Sequence, residues 1–185
     1  MSTATQTRIP TGTWTIDPSH SRAGFAVKHL GIATVRGTFD QFQGSLVVDG
    51  ELADARVDAT IEAASINTRE AQRDEHLRSA DFFDAETFPQ LVFSSTGIRV
   101  VDDETFVVSG DLTMHGVTLP VDLTATIEGF ETDPWGNERV GLELTGQLSR
   151  GDYGMKFNQA LGGGNVLVSD KVKISLDISA VRQAA

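Results

Sequence analysis

The sequence predicts a single all-β domain, an antiparallel up-and-down barrel with a short helix near one end. Three observations lead there. Apolar and polar residues alternate in run after run, as in Ala55–Glu62, Phe106–Met114, Val117–Glu128 and Val172–Ile178. That period turns one face of each strand to a dry interior and the other to water. The runs at 117–128 and 139–149 exceed the usual length of about five or six residues, and short turns join them, which favours a barrel over a sandwich of short strands. Only the stretch Ala63–Phe93 departs from the pattern, with a polar helical segment between two strand-like runs.

Composition sets the outer limits. A chain of 185 residues suits one domain, and 39% apolar residues spread along it can build a core. A net charge of −11 makes nucleic acid a poor partner, because that role needs clustered Lys and Arg, and it disfavours anionic membrane surfaces. The absence of cysteine removes disulfides, thiol catalysis and Cys-based metal sites. The start, MSTATQTRIPTG, is polar, and no run approaches the roughly 18 apolar residues of a membrane span. No stable membrane insertion is expected, and the expected location is cytoplasmic. Residues 1–12 read as a flexible tail and 13–185 as the domain.

The first strand is Thr13–Asp17, with Trp14 and Ile16 on one face, and Asp17-Pro18-Ser19-His20 is a turn. In Phe25–His29, alternation points Phe25, Val27 and His29 inward; Gly31 ends the run. Val35, Gly37 and Phe39 share a face, and another strand covers 44–49. Beyond the helix, 91–95 and 97–101 form a strand with a break, and His115-Gly116 turns the next strand into Val117–Ile127. Asp133–Asn137 is a loop tip, Val140–Leu148 the next apolar face and Val172–Ile178 the last. Pro120 falls within a strand pattern, so it belongs at an edge, a bulge or a strand start.

The helix takes Asn67 or Thr68 as its cap, with Arg69, Glu70, Arg73, Asp74 and Glu75 crowded over two turns and Leu77 turned inward. So polar a helix has no core of its own and fits a lid or plug across a barrel end. Phe82, Phe83 and then Phe88-Pro89 lead back to a strand. Small residues recur at inward positions: Ala55, Ala59, Ala125, Gly37, Gly110 and Gly146. They either leave room for a ligand or relieve curvature opposite large neighbours such as Phe39 and Trp14.

No motif demands catalysis. The histidines His20, His29, His76 and His115 lie in separate elements without metal-ligand spacing, so no metal and no cofactor is expected. His29 reads either as a hydrogen-bonded interior histidine or as a polar ligand contact. There is no GxSxG elbow, and Leu161–Asn165 is glycine-rich without a phosphate-loop pattern, which reads as a flexible hairpin loop. Tyr153–Phe157 leads into that loop and lines a barrel mouth or lies on the surface.

The residues Trp14-Thr-Ile-Asp17-Pro-Ser-His20, Phe25-Ala-Val-Lys-His29 and Val35-Arg-Gly37-Thr-Phe39 resemble the YceI-like family. The match continues through Ser65–Thr68, Arg73–Leu77, Asp81–Asp84, Phe88-Pro89, Gly110–Val121 and Ser149–Met155. The resemblance implies an eight-stranded antiparallel lipocalin-like barrel with an apolar channel. It implies an isoprenoid lipid as ligand, with a phosphate, pyrophosphate or quinone-type head, and a homodimer. It brings no catalytic residues, so a binding protein rather than an enzyme is expected. The alternative is an enzyme acting on a lipid in the same cavity, near His29 or His76. Many relatives carry a secretion signal, and this sequence departs from them there.

The expected ligand contacts are Phe25, Val27, His29, Phe39, Leu77 and Phe82, together with Phe93, Met114, Leu144, Met155 and Phe157. Phenylalanine and methionine suit a flexible, repetitive chain. Arg73, His76 and Arg150 are expected near the head group or mouth.

Overall fold

The computed structural model describes residues 9–184. Residues 1–8 of the expected tail lie outside the described residues; Ile9 is buried, and Trp14 Nε1 donates to the Pro10 carbonyl at 2.9 Å. Packed structure thus reaches four residues into the stretch read as tail, residues 9–12.

In chain order the strands are β1 (Gly12–Ile16), β2 (Arg22–His29), β3 (Ala33–Phe39), β4 (Phe42–Val48), β5 (Arg56–Glu62) and β6 (Ile66–Asn67). The helix α1 (Ala71–Arg78) follows, then β7 (Gln90–Val100), β8 (Thr105–Met114), β9 (Val117–Thr132), β10 (Glu138–Ser149) and β11 (Val168–Arg182). Every pairing is antiparallel. Both β1 and β2 pair with β11, β4 and β3 pair with β1 and β2 in turn, and β5 and β6 pair with β4 and β3. The first six strands therefore make three staves, each interrupted once, and β7 to β11 supply five more. Pairing of β1 with β11 closes the eight-stranded barrel.

The interior has two packed regions. Near the chain termini, Trp14, Val48, Phe106 and Val140 are almost fully buried in one cluster. Below α1, Phe39, Ile66, Met114, Tyr153 and Met155 belong to the other. Inward glycines are covered by aromatic neighbours: a Cβ on Gly37 would lie 2.4 Å from the Phe25 ring, and one on Gly110 would lie 2.4 Å from Phe93. The small inward residues thus serve close ring packing, at these two positions, as much as open space. Gly37→Ala should lower stability by about 1–3 kcal/mol because Phe25 must move. Gly97→Ala, with nothing within 4 Å of its Cβ, is the control expected to leave the melting temperature unchanged.

One local feature differs from expectation and a second agrees with it. Glu70, rather than Asn67 or Thr68, caps α1: its carboxylate accepts from Gln72 N at 3.3 Å and Arg73 N at 2.6 Å. Thr68 is instead held by buried Asp74, whose Oδ1 accepts from Thr68 N at 2.8 Å and Thr68 Oγ1 at 2.5 Å. The second feature is Pro120, which sits inside β9 opposite Asp111. The two-residue turn at His115 and Gly116, both with positive φ, makes Met114–Val117 the closing hydrogen-bonded pair. Alternation then makes Asp111–Pro120 a non-bonded pair, so the missing N–H points toward β10. There the β9–β10 ladder ends, at Thr124–Thr145, and Pro120 lies on a local edge.

Candidate ligand-binding cavity

Between the two packed regions lies a cavity of about 250 Å³, walled by inward side chains of nearly every stave and by α1 with the segment after it. Among the residues that border it, only Ser45, Asp58 and Arg150 have polar side chains. Such a space can hold an apolar chain through burial alone and offers few groups for chemistry.

Of the expected contacts, Phe25, Val27, Phe39, Leu77, Phe82 and Phe93 border the cavity, as do Met114, Leu144 and Met155. Two do not. His29 ends β2 at the rim, paired with Ala33 and Val168, beyond the cavity. Phe157 lies outside the wall, with its ring 4.9 Å from His76 and 5.2 Å from Phe82. Parity of a short strand does not reveal where the cavity stops, which is why His29 looked equivalent to Val27.

The three expected mouth residues separate. Arg150 borders the cavity and is buried; its guanidinium donates to the carbonyls of Met155 at 2.8 Å, Ser169 at 2.9 Å and Val168 at 3.1 Å. Burial pushes its pKa down, partly opposed by Asp170. It also lies 5.9 Å from the centre of the Phe82 ring. Arg73 is spent on structure, donating to Thr68 Oγ1 and Thr68 O, both at 2.7 Å. His76 pairs with Asp81 at 2.8 Å and packs edge-on to Phe82, outside the lining.

Sequence reasoning missed part of the wall. Val172, Ile174 and Leu176 border the cavity, and their alternation was already visible. Phe83 does too, edge-on to Phe39, which is tilted against Phe25, with ring centres 5.6 Å apart at each step. Val168 carried no signal, since it lies just past the glycine-rich loop, ahead of the alternating run at 172–178. Tyr153, in the stretch read as either mouth or surface, is buried with its hydroxyl unpaired among the described residues, and desolvation raises its pKa.

At the opposite end, beyond the cluster around Trp14 and Val140, charged residues tie two turns together. Arg139 bridges Asp17 at 2.8 Å and Asp133 at 2.9 Å, tying the β9–β10 turn to the β1–β2 turn. Desolvation works to raise the Asp133 pKa, but hydrogen bonds from Asn137, Arg139 and the Trp135 amide outweigh it and hold the pKa at about 2. A lowered folded pKa contributes stability above the unfolded value of 3.8, and that contribution is lost as pH falls through the folded one. Stability should therefore decline between about pH 4 and about pH 2, and Asp133→Asn should flatten that decline in urea unfolding. Among the described residues no group of three or more His, Asp or Glu side chains is placed to hold a metal, and no helix is long and apolar enough to cross a membrane.

Comparison with known proteins follows the same architecture. A protein of Photorhabdus laumondii designated UPF0312 is 42% identical over 76% of this chain and 73% of its own. Protein YceI of Shigella sonnei is 38% identical over 89% of this chain and 83% of its own. Among solved structures, BcnA of Burkholderia cenocepacia superposes with a TM-score of 0.77, covering 89% of this chain and 98% of that one, at 21% identity. A domain from Saccharophagus degradans described as polyisoprenoid-binding superposes at 0.70, covering 94% and 100%, at 15% identity. Both structures share the fold. The YceI-like domain model matches residues 14–180, and the chain belongs to the YceI-like family.

Proposed function

We propose that this barrel binds an isoprenoid-chain lipid in its interior cavity and acts as a carrier or reservoir for it. The observation that carries the reading is the apolar cavity beneath α1, whose wall contains a single cationic side chain, Arg150. A prenyl tail gains about 25 cal/mol per Å² removed from water and asks for no directed polar groups. Family membership and the polyisoprenoid-binding description of the Saccharophagus domain support the same ligand class. The head group in this reading is a phosphate, pyrophosphate or quinone.

Protein purified from its native host, extracted with organic solvent and analysed by mass spectrometry, should release a prenyl-chain lipid in near-stoichiometric amount. An empty extract, followed by no thermal stabilisation from prenyl lipids or quinones, would sink the reading. Fractionation of the host tests the cytoplasmic location, and light scattering after size exclusion tests the homodimer.

A further inference from the structure

The outer wall of the barrel carries a second concavity, a groove of about 780 Å³ across β9, β10, β11, β2 and β3. Its construction is specific. On β2, the outward residue that borders it between the charged side chains is small, Ala26. Ala26 stands directly between Lys173 on β11 and Arg36 on β3, which places the two cations about 10 Å apart at their Cα atoms. Arg22 folds back over Gly24, so that a Cβ there would meet its Nη1 at 2.5 Å. Ser175, Thr124, Thr145 and Gln147 complete the rim with neutral donors.

The charge balance is unusual for this chain. Net charge is −11, yet the groove gathers Arg22, Arg36 and Lys173 against one carboxylate, Asp122, which already accepts from Ser109 Oγ at 2.6 Å. Arg22 meets Asp177 only at 3.9 Å, and neither Arg36 nor Lys173 has a carboxylate partner among the described residues. Like charges held around a small-residue floor repel one another unless an anion sits between them. We infer that this groove is an anion site for a compact polyanion of the pyrophosphate class, held between Arg36 and Lys173 with Arg22 at one end. A singly charged carboxylate leaves part of that charge unmatched, whereas a pyrophosphate matches it and accepts from the surrounding hydroxyls.

Phe25, Val121 and Ile174 border both this groove and the interior cavity, and the groove includes the point where β9 and β10 cease to pair. The anion can therefore be a free phosphate compound or the head of a lipid whose tail lies inside; the second source rests on the proposed lipid function.

Calorimetry separates these cases. Inorganic pyrophosphate should bind the wild-type chain, and Arg36→Gln combined with Lys173→Gln should weaken binding at least about tenfold. Both side chains are exposed, so the variant should fold normally. Gly24→Val, which displaces the Arg22 head, should weaken binding by a smaller factor. No heat from the wild-type chain, or equal affinity in the double variant, overturns the proposal. Geranylgeranyl pyrophosphate weakened by the double variant identifies a lipid head as the source, whereas weakening confined to inorganic pyrophosphate identifies a free ligand. Geranylgeraniol, uncharged, reports on the interior cavity alone, so its failure to bind counts against the lipid reading and not against the groove.

Discussion

Arg150→Met is expected to cost about 3–5 kcal/mol and to lower the melting temperature by roughly 10 °C. The guanidinium satisfies three carbonyls, those of Met155, Val168 and Ser169, which bracket the loop between β10 and β11. Methionine fills similar volume but donates nothing. Each abandoned buried acceptor costs about 1–3 kcal/mol, reduced where water can enter from the mouth. Lysine should recover only part of the loss, because an ammonium cannot reproduce the planar fork that reaches carbonyls on both sides of the loop. Calorimetric melting of the two variants decides the matter: a fall below about 3 °C for Met, or full rescue by Lys, would show that the carbonyls find other donors.

Leu144→Trp is expected to weaken prenyl-lipid binding at least about tenfold while the barrel stays folded, since overpacking typically costs about 1–3 kcal/mol and part of the added ring enters existing space. Leu144 projects from the middle of β10, between Ala125 of β9 and Leu176 of β11, into the cavity. An indole there divides the space that a continuous chain needs. Val27→Trp tests the same space from β2 nearer the helix-covered end. Fluorescence titration with a prenyl lipid, alongside circular dichroism, reads binding and folding separately. Undiminished affinity in both variants would count against this lining.

Much of the barrel was legible in the sequence because period-two alternation is a direct image of a pleated wall with one dry face. Trp14, Phe25, Phe93 and Met114 could be turned inward on parity alone, and Leu77 stood out as the apolar residue of a polar helix. Features that depend on reach were not legible. Glu70 caps the helix because a long carboxylate can bend back to Arg73 N, an option that composition does not distinguish from an exposed glutamate. Arg73 and Arg150 look alike in the sequence, yet one locks Thr68 and the other borders the cavity. That difference arises only when strands far apart in sequence meet. The groove on the outer wall is not legible for a related reason: Lys173 and Arg36 become neighbours solely through their shared registration on Ala26.

The pairing of β1 with β11, where Trp14 faces Arg182 and Gln183 N donates to Thr13 O at 2.7 Å, joins the two extremes of the chain. Most other staves pair with their sequence neighbours and can zip locally, but this seam must wait for nearly the whole polypeptide to emerge and fold. During synthesis the nascent protein is thus an open, curved sheet with two unprotected edges and an uncovered apolar face, the period in which misassociation is easiest. A circular permutant that joins residue 184 to residue 9 and opens at the exposed Trp135 tip would make that seam local and turn β9–β10 into the late one, so hydrogen exchange during refolding should show β9–β10 protected last.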